Sequence, residues 1–405
     1  MRSRREEEGR AREALGQVEV PNEHRAEERG RQVVAAAFEE RDAVGSSRGR
    51  TTLRAGIALL TGGVIAALAL TPAGADMRKW IAERIQVGEE DAEPRLTSLP
   101  APGAILVETS NGVWTIRDDG SKRRLGDYDE ATWSPSGLFV GVTDGSELRA
   151  IDPAGNFRWS IDAEGKVESL DWSTDEGFRV AYLVLGNIRV VTGDGLADVA
   201  VAPSPAGLVA PTWQPEENPT EAIHNLTFVN DENKVETTNT DSGRVLSRSR
   251  RFPTILESLT WDAAGERLLA LSLESATVLN QDGEKVFEHR IKGRFGRAAL
   301  SPDGNSLAVV SPSRRGTELS LVGDDGRVKR LFSSGRRNVD AVFGAPVFSP
   351  DGEWILLPWP EADQWLFVNT RDRRVTAVAD ISRQFDADGK GASAFPEIAG
   401  WCCAP

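Results

Sequence analysis

The stretch FPEIAGWCCAP, residues 395–405, sets Trp401 and the only two cysteines of the sequence, Cys402 and Cys403, in the last eleven residues. Chain ends fray into water unless something ties them down. A tryptophan so placed needs a core to enter, and an apolar strand needs a partner.

The partner is found by reading backwards. From about Gly103 onward, short alternating strands are separated by Asp-Gly turns, the signature of hairpins. One pattern recurs: a bulky residue, Ser-Pro-Asp-Gly or a degraded form of it, then an apolar strand. It stands as TWSPSGLFVGV (132–142), DWSTDEGFRVAYLV (171–184), TWQPEENPTEAIHNL (212–226), TWDAAGERLLALS (260–272), ALSPDGNSLAVVS (299–311) and VFSPDGEWILLPW (347–359). The anchors Trp133, Trp172, Trp213, Trp261, Leu300 and Phe348 are spaced by 39, 41, 48, 39 and 48 residues. Such a period denotes repeated supersecondary units.

A second turn falls between successive anchors, as in VWTIRDDGSKRRL (113–125), ATVLNQDGEKVFE (276–288) and ELSLVGDDGRVKR (318–330). Two hairpins per unit make four strands, one propeller blade. The first of these second hairpins, around Asp118–Gly120, has no anchor strand of its own. IAGWCCAP supplies it, with Trp401 in the anchor position 53 residues after Phe348. The expected fold is therefore all-β, a seven-bladed β-propeller over 103–405 with blades of about 43 residues, closed by the C-terminal strand. Closure removes the free edges of an open array.

The copies at Ser301–Gly304 and Ser349–Gly352 resemble the repeats of TolB-like and PD40-type β-propellers, over about three-quarters of the chain. The repeats differ from true WD40 units in lacking the Gly-His pair. This resemblance implies a fold and carries almost no information about activity.

Ahead of the repeats, AGIALLTGGVIAALALTPAGA (55–75) is 21 residues without a charge. As a helix it would be about 31 Å long against a hydrocarbon core of about 30 Å. It reads as one transmembrane helix; the 54 residues before it are too many for the n-region of an ordinary signal peptide. Residues 1–54 form a polar helical or disordered segment expected on the cytoplasmic side, although Lys/Arg flank both ends of the apolar stretch almost equally. Residues 76–102 read as a juxtamembrane helix followed by an extended linker. An Arg/Glu-rich segment with VVAAAFEERDAV, one membrane helix and a propeller also resembles actinobacterial membrane propeller proteins grouped with anti-sigma factors. That resemblance implies a cytoplasmic sigma factor as partner of residues 1–50. The zinc-type anti-sigma signature is missing, since this segment holds His24 and no cysteine.

The net charge is −14, and residues 1–50 balance eleven Lys/Arg against eleven Asp/Glu, so the acidity belongs to the rest of the chain. An acidic surface argues against nucleic acid as partner. Catalytic material is sparse. The histidines are His24, His224 and His289, and no nucleophile elbow, zinc-protease helix or phosphate-binding glycine loop occurs. No cofactor or metal is expected, and the adjacent Cys402 and Cys403 read either as small reduced residues filling the closing strand or, in an oxidising compartment, as a vicinal disulfide. The reading is a membrane-anchored, extracytoplasmic binding, sensing or scaffold module. The alternative is a propeller enzyme, a lyase or hydrolase, which would need His and carboxylates gathered at the central channel.

Topology also sorts the charges. Turns between strands one and two and between three and four of a blade share one face; the others share the opposite face. Asp118, Asp119, Asp152, Asp194, Asp282, Asp303, Asp324, Asp325 and Asp351 go to the first. Arg250, Arg251, Lys292, Arg294, Arg297, Arg314, Arg315, Arg336 and Arg337, from blades four to six, go to the second. This predicts a basic patch suited to an anionic ligand: a cell-envelope polymer, the surface of the membrane lipid bilayer or an acidic protein partner.

Overall fold

The structure, a computed structural model, describes residue 96 and residues 98–174, 179–203, 209–215, 224–291, 297–314, 316–335, 341–386 and 394–403. The segments read as cytoplasmic and membrane-spanning, 1–54 and 55–75, lie outside them. Among the described residues no helix is long and apolar enough to cross a membrane.

These residues form seven four-stranded antiparallel sheets. In chain order blades 2 to 7 cover 131–162, 167–203, 212–248, 256–290, 297–333 and 347–379. Blade 1 takes three strands from 104–126 and its innermost strand, Glu397–Cys402, from the far end of the sequence. Ile105 pairs with Trp401 and Ala104 with Cys402. The predicted closing strand is therefore in place, and Trp401 is only 7% exposed, its ring 5.8 Å from Phe367 of blade 7.

The Ser-Pro-Asp-Gly turn has a local cause. Ser301 Oγ accepts the backbone N–H of Ser306 at 3.0 Å and donates to Asp303 Oδ1 at 2.5 Å, while Gly304 adopts φ 70°. The copy at Ser349 repeats this with Trp354 N–H at 3.0 Å and Asp351 at 2.5 Å. Degraded copies keep the acceptor: Ser134 takes Phe139 N–H, Ser173 takes Arg179 N–H, and Asp262 takes Arg267 N–H. Conversion of a buried strand start into a satisfied one is what the motif does.

Middle strands are covered on both faces by neighbouring blades. In blade 7, Trp354–Trp359 and Gln364–Asn369 are buried at every position, which is why they read as continuous apolar runs. Seven hydrophobic clusters result, one in each gap between adjacent blades. The gap between blades 7 and 1 is reinforced from both sides. Leu96, Leu99 and Ala101 enter it from the segment read as linker, and Ile381 and Phe385 from the connection after blade 7. Leu96 N–H donates to Gln384 Oε1 at 3.3 Å and Leu99 N–H to Asp118 O at 2.8 Å, so packing extends to Leu96.

Candidate functional site

The strand order sends the turns between strands one and two, and three and four, to one face, here the turn face. The middle hairpins and the blade-to-blade connections go to the other, the crossover face. All nine aspartates singled out in the sequence lie on turn-face turns. Seven of them accept local N–H groups: Asp152 Oδ1 accepts from Ala154 and Asn156, both at 2.9 Å, Asp194 Oδ1 from Leu196 at 3.0 Å, and Asp118, Asp119, Asp303, Asp325 and Asp351 do likewise. Hydrogen bonds from Asn156 hold the Asp152 carboxyl below its usual range. These are turn carboxylates, committed to their own loops.

The crossover face differs. Arg250 and Arg251 lie on the connection from blade 4 to blade 5, Arg297 opens blade 6, and Arg314 stands at its middle hairpin. All four are exposed, and among the described residues none makes an ion pair, unlike Arg248 with Glu236 at 2.6 Å or Arg330 with Glu318 at 3.6 Å. Lys292, Arg294, Arg315, Arg336 and Arg337 lie outside the described residues.

Beside Arg251 opens a cavity of about 510 Å³. Its base is apolar: Val209, Val229 and Leu256 are 5%, 9% and 1% exposed. Asp231, Arg251 and Ile255 stand at its edge, and Ile255 is 67% exposed. The walls are held rigidly. Asn230 Oδ1 accepts N–H from Glu232 and Lys234 at 3.0 and 3.1 Å, shaping the blade 4 hairpin. Asn233, at φ 57°, donates through Nδ2 to Phe252 O and Thr254 O at 3.0 and 2.9 Å. Ser249 Oγ takes Val235 N–H at 2.9 Å. The connection is thus pinned to the hairpin while its two arginines face solvent. Lys234, with Arg248 and Arg251 adding to it, holds the Glu232 carboxyl below its usual range. An apolar base with a few polar groups at the rim is the form of a ligand pocket.

Three further arrangements stand out, the first two without a signal in the sequence. The first is a set of carboxylates crossing successive gaps. Glu108 Oε1 of blade 1 accepts Ala131 N–H of blade 2 at 2.7 Å. Glu130 Oε2, at the start of blade 2, accepts Ser169 N–H of blade 3 at 2.7 Å, and Asp171 Oδ2 of blade 3 accepts Trp213 N–H of blade 4 at 2.8 Å. Burial pushes Glu108 up to about 7, opposed by the Ala131 N–H and assisted by Glu130 and Glu397. Burial likewise pushes Asp171 up to about 6 against the Trp213 N–H.

The second ties blades 3 and 4 on the turn face. Asp241 sits 2.6 Å from both His224 Nδ1 and an Arg179 guanidinium nitrogen, with Trp213 edge-on to the imidazole at 6.3 Å. The third is the second of the two cysteine readings: Cys402 and Cys403 are joined in a vicinal disulfide and are half-buried rather than enclosed. Among the described residues no group of three or more His, Cys, Asp or Glu could hold a metal ion.

No family model matches the chain, and no curated protein matches it. Solved structures do. A chain of Kuenenia stuttgartiensis hydrazine synthase is 13% identical with a TM-score of 0.46, covering 60% of this chain and 76% of that one. The Myceliophteria thermophila Cps50 (Swd1) β-propeller domain is 13% identical with a TM-score of 0.47, covering 62% and 86%. Likeness at this level concerns fold only. The strand order defines the class: a seven-bladed β-propeller closed by its C-terminal strand.

Proposed function

We propose that the chain is a non-catalytic binding module, a propeller of the TolB-like, PD40-repeat type that takes an anionic ligand on the crossover face of blades 4 to 6. The observation that carries this is the set of exposed arginines that make no ion pair among the described residues, Arg250, Arg251, Arg297 and Arg314, on connections of one face, with the 510 Å³ cavity beside Arg251. A guanidinium not engaged by a carboxylate of its own chain keeps its donor fork for phosphate or carboxylate. In this reading the apolar segment 55–75 anchors the chain in the membrane, the propeller is extracytoplasmic, and residues 1–50 engage a cytoplasmic sigma factor.

The test is co-sedimentation of the propeller with anionic cell-envelope fractions at low and high salt. Binding should weaken as salt screens the charges, and replacing Arg250, Arg251, Arg297 and Arg314 with Ser should abolish it without changing the melting temperature. Undiminished binding by that variant would refute the site. The regulatory part is tested separately: a tagged 1–50 fragment should retain a sigma factor from host lysate, and failure to retain one would refute that part alone.

A further inference from the structure

The vicinal cysteines stand on the opposite face from the arginines and have surroundings of their own. After Trp401 enters the core, Cys402 and Cys403 emerge against the first turn of blade 2. Cys402 Sγ lies 3.7 Å from Ser134 O and 3.8 Å from Pro135 O; Cys403 Sγ lies 3.7 and 3.2 Å from the same oxygens. Both residues line a cavity of about 180 Å³ with Thr115, Arg117, Trp133 and Ser136. A Cβ on Gly137 would come within 2.9 Å of Cys403 Cβ, so the blade 2 turn rests directly on the pair.

A disulfide between adjacent residues braces nothing. It stabilises a fold by closing a loop in the unfolded chain, and here the loop contains no intervening residue. With bracing excluded, the chemistry of the sulfurs remains. They are reachable through a cavity. An exposed Arg117 shares that cavity and would favour a thiolate over a thiol. Both oxidation states are accommodated, because the reduced pair could donate its two S–H groups to the carbonyls of Ser134 and Pro135, which already face the sulfurs.

We infer that Cys402–Cys403 is a reversible thiol–disulfide exchange site for low-molecular-weight thiols and disulfides that enter by this cavity. In the reducing direction an incoming thiolate attacks one sulfur of the pair. A bond forms from the incoming sulfur to that cysteine, the Cys402–Cys403 bond breaks, and the departing sulfur leaves as a thiolate that takes a proton from water. A second incoming thiolate attacks the outer sulfur of the mixed disulfide and releases the small disulfide, and the second cysteine takes its proton. Two electrons and two protons pass from two small thiols to the chain. A small disulfide reverses each step.

The experiment uses the full native chain in glutathione buffers of increasing reduced-to-oxidised ratio, quenched in acid, alkylated and weighed intact. The expected result is conversion from no alkylated cysteine to two, without an accumulated singly alkylated form, and full reversal in oxidised glutathione. Tryptophan emission should rise on reduction, since a disulfide next to Trp401 and across the cavity from Trp133 quenches indole. Cys402→Ser and Cys403→Ser chains should each take up one glutathione. A native pair that stays wholly bonded or wholly free across ratios at which the denatured chain converts would overturn the inference, as would single-cysteine variants that take up no glutathione.

Discussion

Blades 1 to 4 and blades 5 to 7 close the same kind of gap with different chemistry. Each gap holds an apolar cluster, but the gaps 1–2, 2–3 and 3–4 add a carboxylate accepting a backbone N–H from the innermost strand of the next blade. In gaps 5–6 and 6–7 no such carboxylate occurs among the described residues. Leu269, Val278, Leu300, Leu307 and Val309 fill the first, and Phe343, Phe348, Leu357 and Trp359 dominate the second. Apolar contact tolerates any pH. The carboxylates specify the strand position, and the buried Glu108 and Asp171 make gaps 1–2 and 3–4 sensitive to protonation. The difference teaches that one fold can specify some of its gaps with buried carboxylates and others with apolar packing alone, and the arginine face belongs mainly to the apolar half. The Asp262 carboxyl of blade 5, which burial pushes up, serves its own turn.

The largest effects should come from the apolar half. Trp359 is fully buried and packs edge-on against Phe343 at 5.1 Å. Trp359→Ala should cost about 3–5 kcal/mol by denaturant unfolding, with the same loss at pH 5 and pH 8. A loss that depends on pH would break the comparison.

Next come the carboxylates. Asp171→Ala leaves the Trp213 N–H without its acceptor and should cost about 1–3 kcal/mol. Asp171→Asn, which keeps an oxygen there, should cost less. Equal losses would mean that the N–H contact contributes nothing.

The pH dependence sharpens the contrast and has a definite sign. Glu108 at about 7 and Asp171 at about 6 lie above their unfolded values of about 4. The folded chain therefore holds these protons more tightly than the unfolded chain does. Their contribution is fully present below about pH 4 and is lost as pH rises through about 6 to 7. Unfolding free energy should fall between pH 5 and pH 8 in the parent, and the slope should flatten in a Glu108→Gln, Asp171→Asn chain. At pH 8 Glu108→Gln should be at least as stable as the parent, because the buried charge is gone and an acceptor remains. A slope unchanged by the double substitution would refute this assignment.

The smallest effect is expected on the turn face. Arg158 and Asp152 form a partly exposed pair at 3.0 Å, and Arg158→Ala should change stability by less than about 1 kcal/mol. A larger loss would show that the turn face is more than a row of satisfied turns.

The sequence made the blade count and the closing strand legible because turn chemistry is local. Ser301 and Asp303 satisfy backbone groups within five residues, so the motif is visible wherever the turn occurs. Side assignment of Arg250, Arg251, Arg297 and Arg314 was legible as well, since strand direction alternates strictly. The carboxylates were not, because Glu108, Glu130 and Asp171 look like ordinary strand-end polar residues until a second blade supplies the N–H. Leu96, Leu99 and Ala101 were read as linker because three apolar residues among prolines show no strand or helix period. The cavity beside Arg251 depends on Asn233 holding two carbonyls of a connection about twenty residues away, a contact with no sequence signature.

The central claim is that one ring is closed by joining the two ends of the described chain in blade 1, and amide hydrogen exchange tests it most directly. The strand Ala104–Thr109 lies between Gly112–Ile116 and Glu397–Cys402. In the full chain the amides of Ile105, Leu106 and Val107 should be among the slowest to exchange, and in a chain ending at Pro396 they should exchange orders of magnitude faster while blades 3 to 5 keep more of their protection. Unchanged protection of 105–107 in the shortened chain would contradict the closure.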